Sequence, residues 1–185
     1  MRNRMKKKAK QPEMKQDIKN FQELIAIMEK SDDFKQVDFG NVSAIKLYYY
    51  QSLINTDKLH TNLLPYCQQL TIHAIEELEN VLPFDDTEIT ADLAVIEEKI
   101  LAGFIAVHLQ NDTTNILLIP AKFETDRDVA PPEIEFSVIG PKVAFIEDLQ
   151  TNINLIRKRV KLPQLHVKKL KVGENHQNND RHYVY

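Results

Sequence analysis

Six histidines, a single cysteine and 27 carboxylates are the side chains here that could ligate a metal, move a proton or act as a nucleophile. Their spacing argues against all three. His60, His73, His108, His166, His176 and His182 are scattered, and none falls into the tight spacing of a metal site. Cys67 precedes His73 by six residues, which is not a helical i,i+4 pair, so it reads as a small buried hydrophobe. Glu76-Glu77, Asp85-Asp86 and Glu97-Glu98 are adjacent carboxylates; neighbours point apart on a helix or a strand, so these read as solvated faces. Four glycines build no phosphate-binding loop, dinucleotide turn or nucleophile elbow. The chain is therefore expected to be no enzyme and to need no metal or cofactor.

Basic residues are the other chemically suggestive group. Arg157-Lys158-Arg159 with Lys161, Lys168, Lys169 and Lys171 form the basic cluster of the body, without the interleaved aromatics of a nucleic-acid platform. Helix termination and contact with protein or lipid headgroups fit it better. Residues 1–15 carry seven basic side chains against Glu13, a net +6, which leaves −9 for the remainder of a chain whose formal charge is −3. An acidic body behind a basic leader does not resemble a nucleic-acid domain. The leader could rest on an anionic membrane surface, at about 1 kcal/mol per basic residue, or serve as a disordered, solubilising tail.

These groups need elements to position them, and 185 residues at 43% hydrophobic content can bury a real core. The lone Cys67 excludes an internal disulfide and suits a reducing compartment. The near-apolar run 100–109 is far short of the ~20 residues of a membrane helix, and no signal peptide follows the leader. Helical spacing of Ile18, Phe21, Leu24, Ile25 and Met28 behind Asp17 predicts a first helix, ended by Ser31-Asp32-Asp33. Residues 42–50 read as a buried strand, and Asn55 opens a short helix limited by Pro65. Residues 88–101 read as a helix with Gly103 at C′, and 104–110 and 115–123 as a hairpin. The sum is an α+β fold (mixed α/β), a small central β-sheet flanked by helices.

Gly140-Pro141 and Pro163 bracket a further helix, expected over residues 142–160. Phe145, Leu149, Ile153, Ile156 and Val160 form its apolar stripe, with acids at its start and bases at its end. Asn152 falls near the centre of that stripe. Asp148, Asn152, Leu155 and Arg159, at spacings of four, three and four, form a column expected to contact a second domain or subunit, with Arg157 beside it.

This region resembles the N-terminal soluble region of the A subunits of GerA-type spore germinant receptors. Pro132, Glu135, Gly140, Pro141, Phe145, Glu147, Leu149, Thr151, Asn152, Leu155, Ile156, Arg157, Arg159, Pro163 and Leu165 stand where the family pattern has them. A weaker echo runs from Tyr48 to Asn55, where Gln51 and Ser52 replace Asp-Gly. Pro131 and Val143 stand in place of Glu, and Ile139 and Lys142 in place of Arg.

Charge and composition give a basic disordered leader over 1–15 and a linker from 173, and the resemblance implies a first soluble subdomain over 16–172 and, within 173–185, the first strand of an incomplete second subdomain. It implies a cytoplasm-facing part of a protein of the inner spore membrane. Such a part would work with B and C subunits and further A subunits in signal transduction during nutrient-triggered germination. The alternative is a domain that binds a nutrient or metabolite in a cleft shared with the second subdomain.

Overall fold

The computed structural model describes residues 18–39, 45–69, 72–110, 112, 114–123, 145, 147–171 and 180–184, of which 68, 69, 171 and 180–184 are described by backbone alone. Helix α1 (Phe21–Met28) begins at Asn20, whose side chain accepts the Glu23 amide at 2.9 Å. The expected cap, Asp17, lies outside the described residues.

Strands β1 (Phe34–Asp38), β2 (Ile45–Tyr50), β3 (Glu88–Thr90), β4 (Phe104–Leu109) and β5 (Ile116–Pro120) form one sheet in the order β1-β2-β4-β5-β3. Every pairing is antiparallel. Successive side chains alternate between the two faces, so each face acquires its own core. On one, Ile45, Leu47, Ile105, Val107, Leu117 and Ile119 pack against Leu59, Leu63 and Cys67 and against Ile75 and Leu78 of α4 (Ile75–Val81). On the other, Tyr48, Tyr50, Phe104, Ala106 and Leu118 meet Leu24, Ile25 and Met28 of α1 and Ile96, Ile100 and Leu101 of α5 (Leu93–Leu101). Helices on both faces explain why all six β4 residues are buried. The fold is the expected α+β arrangement, a small central sheet flanked by helices.

Several boundaries differ from expectation for physical reasons. The stretch expected as one helix over 88–101 divides: Glu88–Thr90 pairs with β5, and Asp92 caps α5 by accepting the Ala94 amide at 2.8 Å. Pro65 does not end its helix. Helix α2 (Thr56–Lys58), a π-helical turn (Leu59–Leu63) and α3 (Leu64–Gln69) run on continuously, and Pro65 falls at the change of register, where its missing N–H is tolerated. Strand β1 and helix α4 were not foreseen. The hairpin of β4 and β5 forms as expected, and Gly103 takes a φ of +90°.

Helix α6 (Leu149–Arg159) starts at Asp148 rather than near residue 142; residues 142–144 lie outside the described part. Beyond it β6 (Val167–Lys171) pairs antiparallel with β7 (Asp180–Val184) as a separate two-stranded sheet. Among the described residues no helix is long and apolar enough to cross a membrane.

Candidate functional site

The residues that bear the family pattern on α6 are held by a buried polar junction. Asp148 caps the helix: its carboxylate accepts the Thr151 amide at 2.8 Å and also the Thr151 hydroxyl. Those bonds hold its carboxyl below the usual carboxylate range. One turn on, the face that meets the sheet is Gln150, Ile153, Asn154 and Arg157, the i, i+3, i+4, i+7 spacing of one helix side. Three of these four are polar. Gln150 Nε2 donates to the Gln51 carbonyl and Asn154 Nδ2 to the Ser52 carbonyl, each at 2.8 Å. The turn after β2 thus offers carbonyls that no strand partner uses, and α6 supplies the donors.

Arg157 lies deepest, with 1% of its surface exposed. Its Nε and Nη2 meet the two oxygens of Asp33, each at 2.6 Å, in the parallel geometry that carboxylate and guanidinium share. Nη2 also donates to Ser31 Oγ at 2.8 Å, and the guanidinium carbon stands 3.9 Å from the centre of the Tyr50 ring. Asp33 further accepts the hydroxyls of Ser31 at 2.7 Å and Ser52 at 2.5 Å. Each of its oxygens therefore has two donors, which fills the about four acceptor positions of a carboxylate. Burial raises the Asp33 pKa, but Arg157 and the two hydroxyls more than offset it, so the carboxyl ionises below its ordinary range.

The same corner fastens β6. Ser31 Oγ accepts the Val167 amide at 2.7 Å, and the Asp32 amide donates to the Val167 carbonyl at 2.8 Å. Asp32 carboxylate oxygens accept the Lys169 amide at 2.6 Å and Lys168 Nζ at 3.2 Å. Ser31-Asp32-Asp33 is thus bonded on one side to α6 and on the other to the strand that pairs with β7.

This arrangement stores and orders charge. The Asp33 carboxylate is fully occupied, so it has no free lone pair with which to take a proton from a substrate. Arg157 Nη1, Asn154 Oδ1 and the Tyr50 hydroxyl have no hydrogen-bond partner among the described residues. Among those residues no group of three or more His, Cys, Asp or Glu could hold a metal ion. Cys67 sits in the opposite core, where burial pushes its thiol up to about 12.

The expected apolar stripe coincides with the buried face only at Ile153, which is 3% exposed. At 100° per residue the buried face is centred about 90° away from it. Phe145 is 68% and Val160 38% exposed, while Leu149 and Ile156 are half-buried. Asn152, expected near the centre of that stripe, is half-buried; the fully buried amide is Asn154. Of the column, Asp148 and Arg159 are exposed and Asn152 and Leu155 half-buried, on the side of α6 away from Gln150 and Arg157. Arg157 itself is taken up inside the chain. Thr151 is half-buried on Asp148, Glu147 is exposed, Pro163 buried, Leu165 half-buried. Pro132, Glu135, Gly140 and Pro141 lie outside the described residues.

Gln150 and Asn154 were not singled out in the sequence, where Ser31 and Asp33 figured only as a helix end and Ser52 only as a departure from the family pattern. The available signal was a Gln-x-x-Ile-Asn-x-x-Arg face, whose arginine would require a buried acid wherever that face met the core.

Residues 22–185 match the family described as Bacillus/Clostridium GerA spore germination protein. The chain is 35% identical over 157 residues to Spore germination protein GerQA of Bacillus cereus, covering 84% of this chain and 32% of that protein. It is 32% identical over 162 residues to Spore germination protein GerIA of the same organism, covering 86% and 24% respectively. It thus spans a third or less of the length of these curated relatives. Among solved structures it is similar to the N-terminal domain of the A subunit of the Bacillus megaterium spore germinant receptor GerK3. The TM-score is 0.56 at 17% identity, over 90% of this chain and 64% of that one, a likeness of fold.

Proposed function

Because the chain belongs to the Bacillus/Clostridium GerA spore germination protein family, we propose that it is the non-catalytic N-terminal domain of a spore germinant receptor A subunit and couples that subunit to its neighbours. The observation that carries this reading is the rotated docking of α6, whose buried face stands about 90° from its apolar stripe. Its polar face is consumed by Ser31, Asp33 and the turn at Gln51 and Ser52. That leaves the outward column of Asp148, Asn152, Leu155 and Arg159, with the apolar stripe beside it, as the side available to a partner. A helix whose buried side is taken up by polar groups, with Leu149, Leu155 and Ile156 left half-buried on its other sides and Val160 exposed at its end, is placed for contact beyond its own domain.

In this reading the partners are the B and C subunits and further A subunits, at the cytoplasmic side of the inner spore membrane. Residues 1–15 rest on anionic lipid, and no nucleic acid is bound. In the same reading β7 is the first strand of the second subdomain, paired to β6 of the first, and the Ser31–Asp33 corner transmits movement between β6 and α6.

The test is to carry Leu155→Glu and Arg159→Glu in the full-length protein in spores. Co-purification of the other receptor subunits and nutrient-triggered germination should both fall, with the stability of the 185-residue chain changed by no more than about 0.5 kcal/mol. Intact assembly and germination with both substitutions would exclude this face as the coupling surface.

A further inference from the structure

Between the C-terminal ends of α5 and α6 lies a groove of about 400 Å³ that the junction at Asp33 does not use. Leu53, Leu101 and Ala102 form its floor, Phe123 one wall, and Lys122, Lys158 and Lys161 its rim. Leu53 and Leu101 keep only 3% and 5% exposure, whereas the three lysines are exposed. The described lining residues include no carboxylate.

The rim lysines share with Lys19, Lys30, Lys35, Lys58 and Lys169 the lack of an ion pair among the described residues, and are set apart by standing together around one apolar slot. Lys46, Lys99 and Lys168 each meet a carboxylate within 4.0 Å, but among the described residues Lys122, Lys158 and Lys161 make no ion pair. Lys158 Nζ donates only to the Phe123 carbonyl, at 3.3 Å, and Lys122 Nζ stands 5.4 Å from the Phe104 ring centre. Val160 and Leu162, on either side of Lys161 in the chain, are 38% and 55% exposed. Three cations without an ion pair among the described residues therefore surround an apolar slot with further apolar surface at its margin.

We infer that this groove docks an acidic peptide segment of a partner protein that carries one large apolar side chain. That side chain covers the Leu53–Leu101 floor while the flanking carboxylates meet the lysines. A bilayer fits less well, because a flat surface cannot reach a recessed floor. The groove shares no residue with the outward column of Asp148, Asn152, Leu155 and Arg159, and Val160 borders both, so the substitutions that test one surface leave the other in place.

Fluorescence anisotropy on the 185-residue chain tests it, with a short labelled peptide of glutamates around a central phenylalanine. Binding should weaken about tenfold when the phenylalanine becomes serine, and at least about tenfold in Lys122→Gln/Lys158→Gln/Lys161→Gln. It should also weaken with salt, and persist when the basic residues of 1–15 are changed to glutamine. Circular dichroism melting confirms that the triple variant stays folded. Binding that ignores the triple variant, that vanishes with the leader charges, or that does not distinguish phenylalanine from serine would overturn the proposal. So would groove-dependent binding of phosphatidylglycerol vesicles without peptide binding.

Discussion

The Arg157 guanidinium and the Asp33 carboxylate, 124 positions apart in the chain, meet through two hydrogen bonds of 2.6 Å with almost no solvent access. Removing one partner leaves the other as an uncompensated buried charge, which costs about 3 to 5 kcal/mol, whereas replacing both by apolar groups of similar volume costs much less. Urea denaturation of Arg157→Met, Asp33→Leu and the double variant should therefore show two large losses and a double loss smaller than their sum. Additive losses would mean that the pair is not coupled.

Ser52 stands where the family pattern has glycine, yet its hydroxyl completes the Asp33 shell at 2.5 Å. Ser52→Gly should cost about 1 to 2 kcal/mol, since the carboxylate loses one buried donor. A change within 0.3 kcal/mol, inside the usual scatter of surface substitutions, would show that the hydroxyl is dispensable.

Asp33 has its pKa held down in the folded state. A depressed carboxyl adds stability above its unfolded value, about 3.9, and that stability is lost as pH falls through the folded pKa. Asp32 and Asp148 are shifted the same way by their hydrogen bonds. Stability should consequently decline below about pH 4, and Asp33→Asn should flatten that decline while lowering the plateau above it. An unchanged acid profile in Asp33→Asn would assign the acid sensitivity elsewhere.

Gly103 joins α5 to β4 at a φ of +90°, and a Cβ built there would lie 2.7 Å from the Leu53 carbonyl oxygen. Gly103→Ala combines left-handed strain with a backbone clash and should cost about 2 kcal/mol or more. Thermal melting measures it; a neutral alanine would contradict this backbone path.

What was legible in the sequence was local. The β4–β5 hairpin, the strand ending at Tyr50 and the glycine after α5 follow from short apolar runs and one turn residue. Strands β1 and β3 were missed because Phe34-Lys-Gln-Val-Asp and Glu-Ile-Thr are polar edge segments whose pairing is decided by their neighbours. The face of α6 was misread because apolar periodicity selects the apolar side. Here the buried side is chosen by Arg157, whose partner lies at Asp33, far outside any window. The resemblance located the right helix but could not tell inward from outward residues, since Arg157 and Arg159 belong to the same pattern.

In the proposed reading α6 turns Asn154 and Arg157 inward and Leu155 toward a partner subunit. A photoreactive benzoylphenylalanine placed at position 155 of the full-length receptor, with position 154 as its counterpart, tests this most directly. Illumination should join position 155 to another receptor subunit, while position 154 reacts only within its own chain. Cross-linking to a partner from 154, or none from 155 in an assembled receptor, would contradict the account.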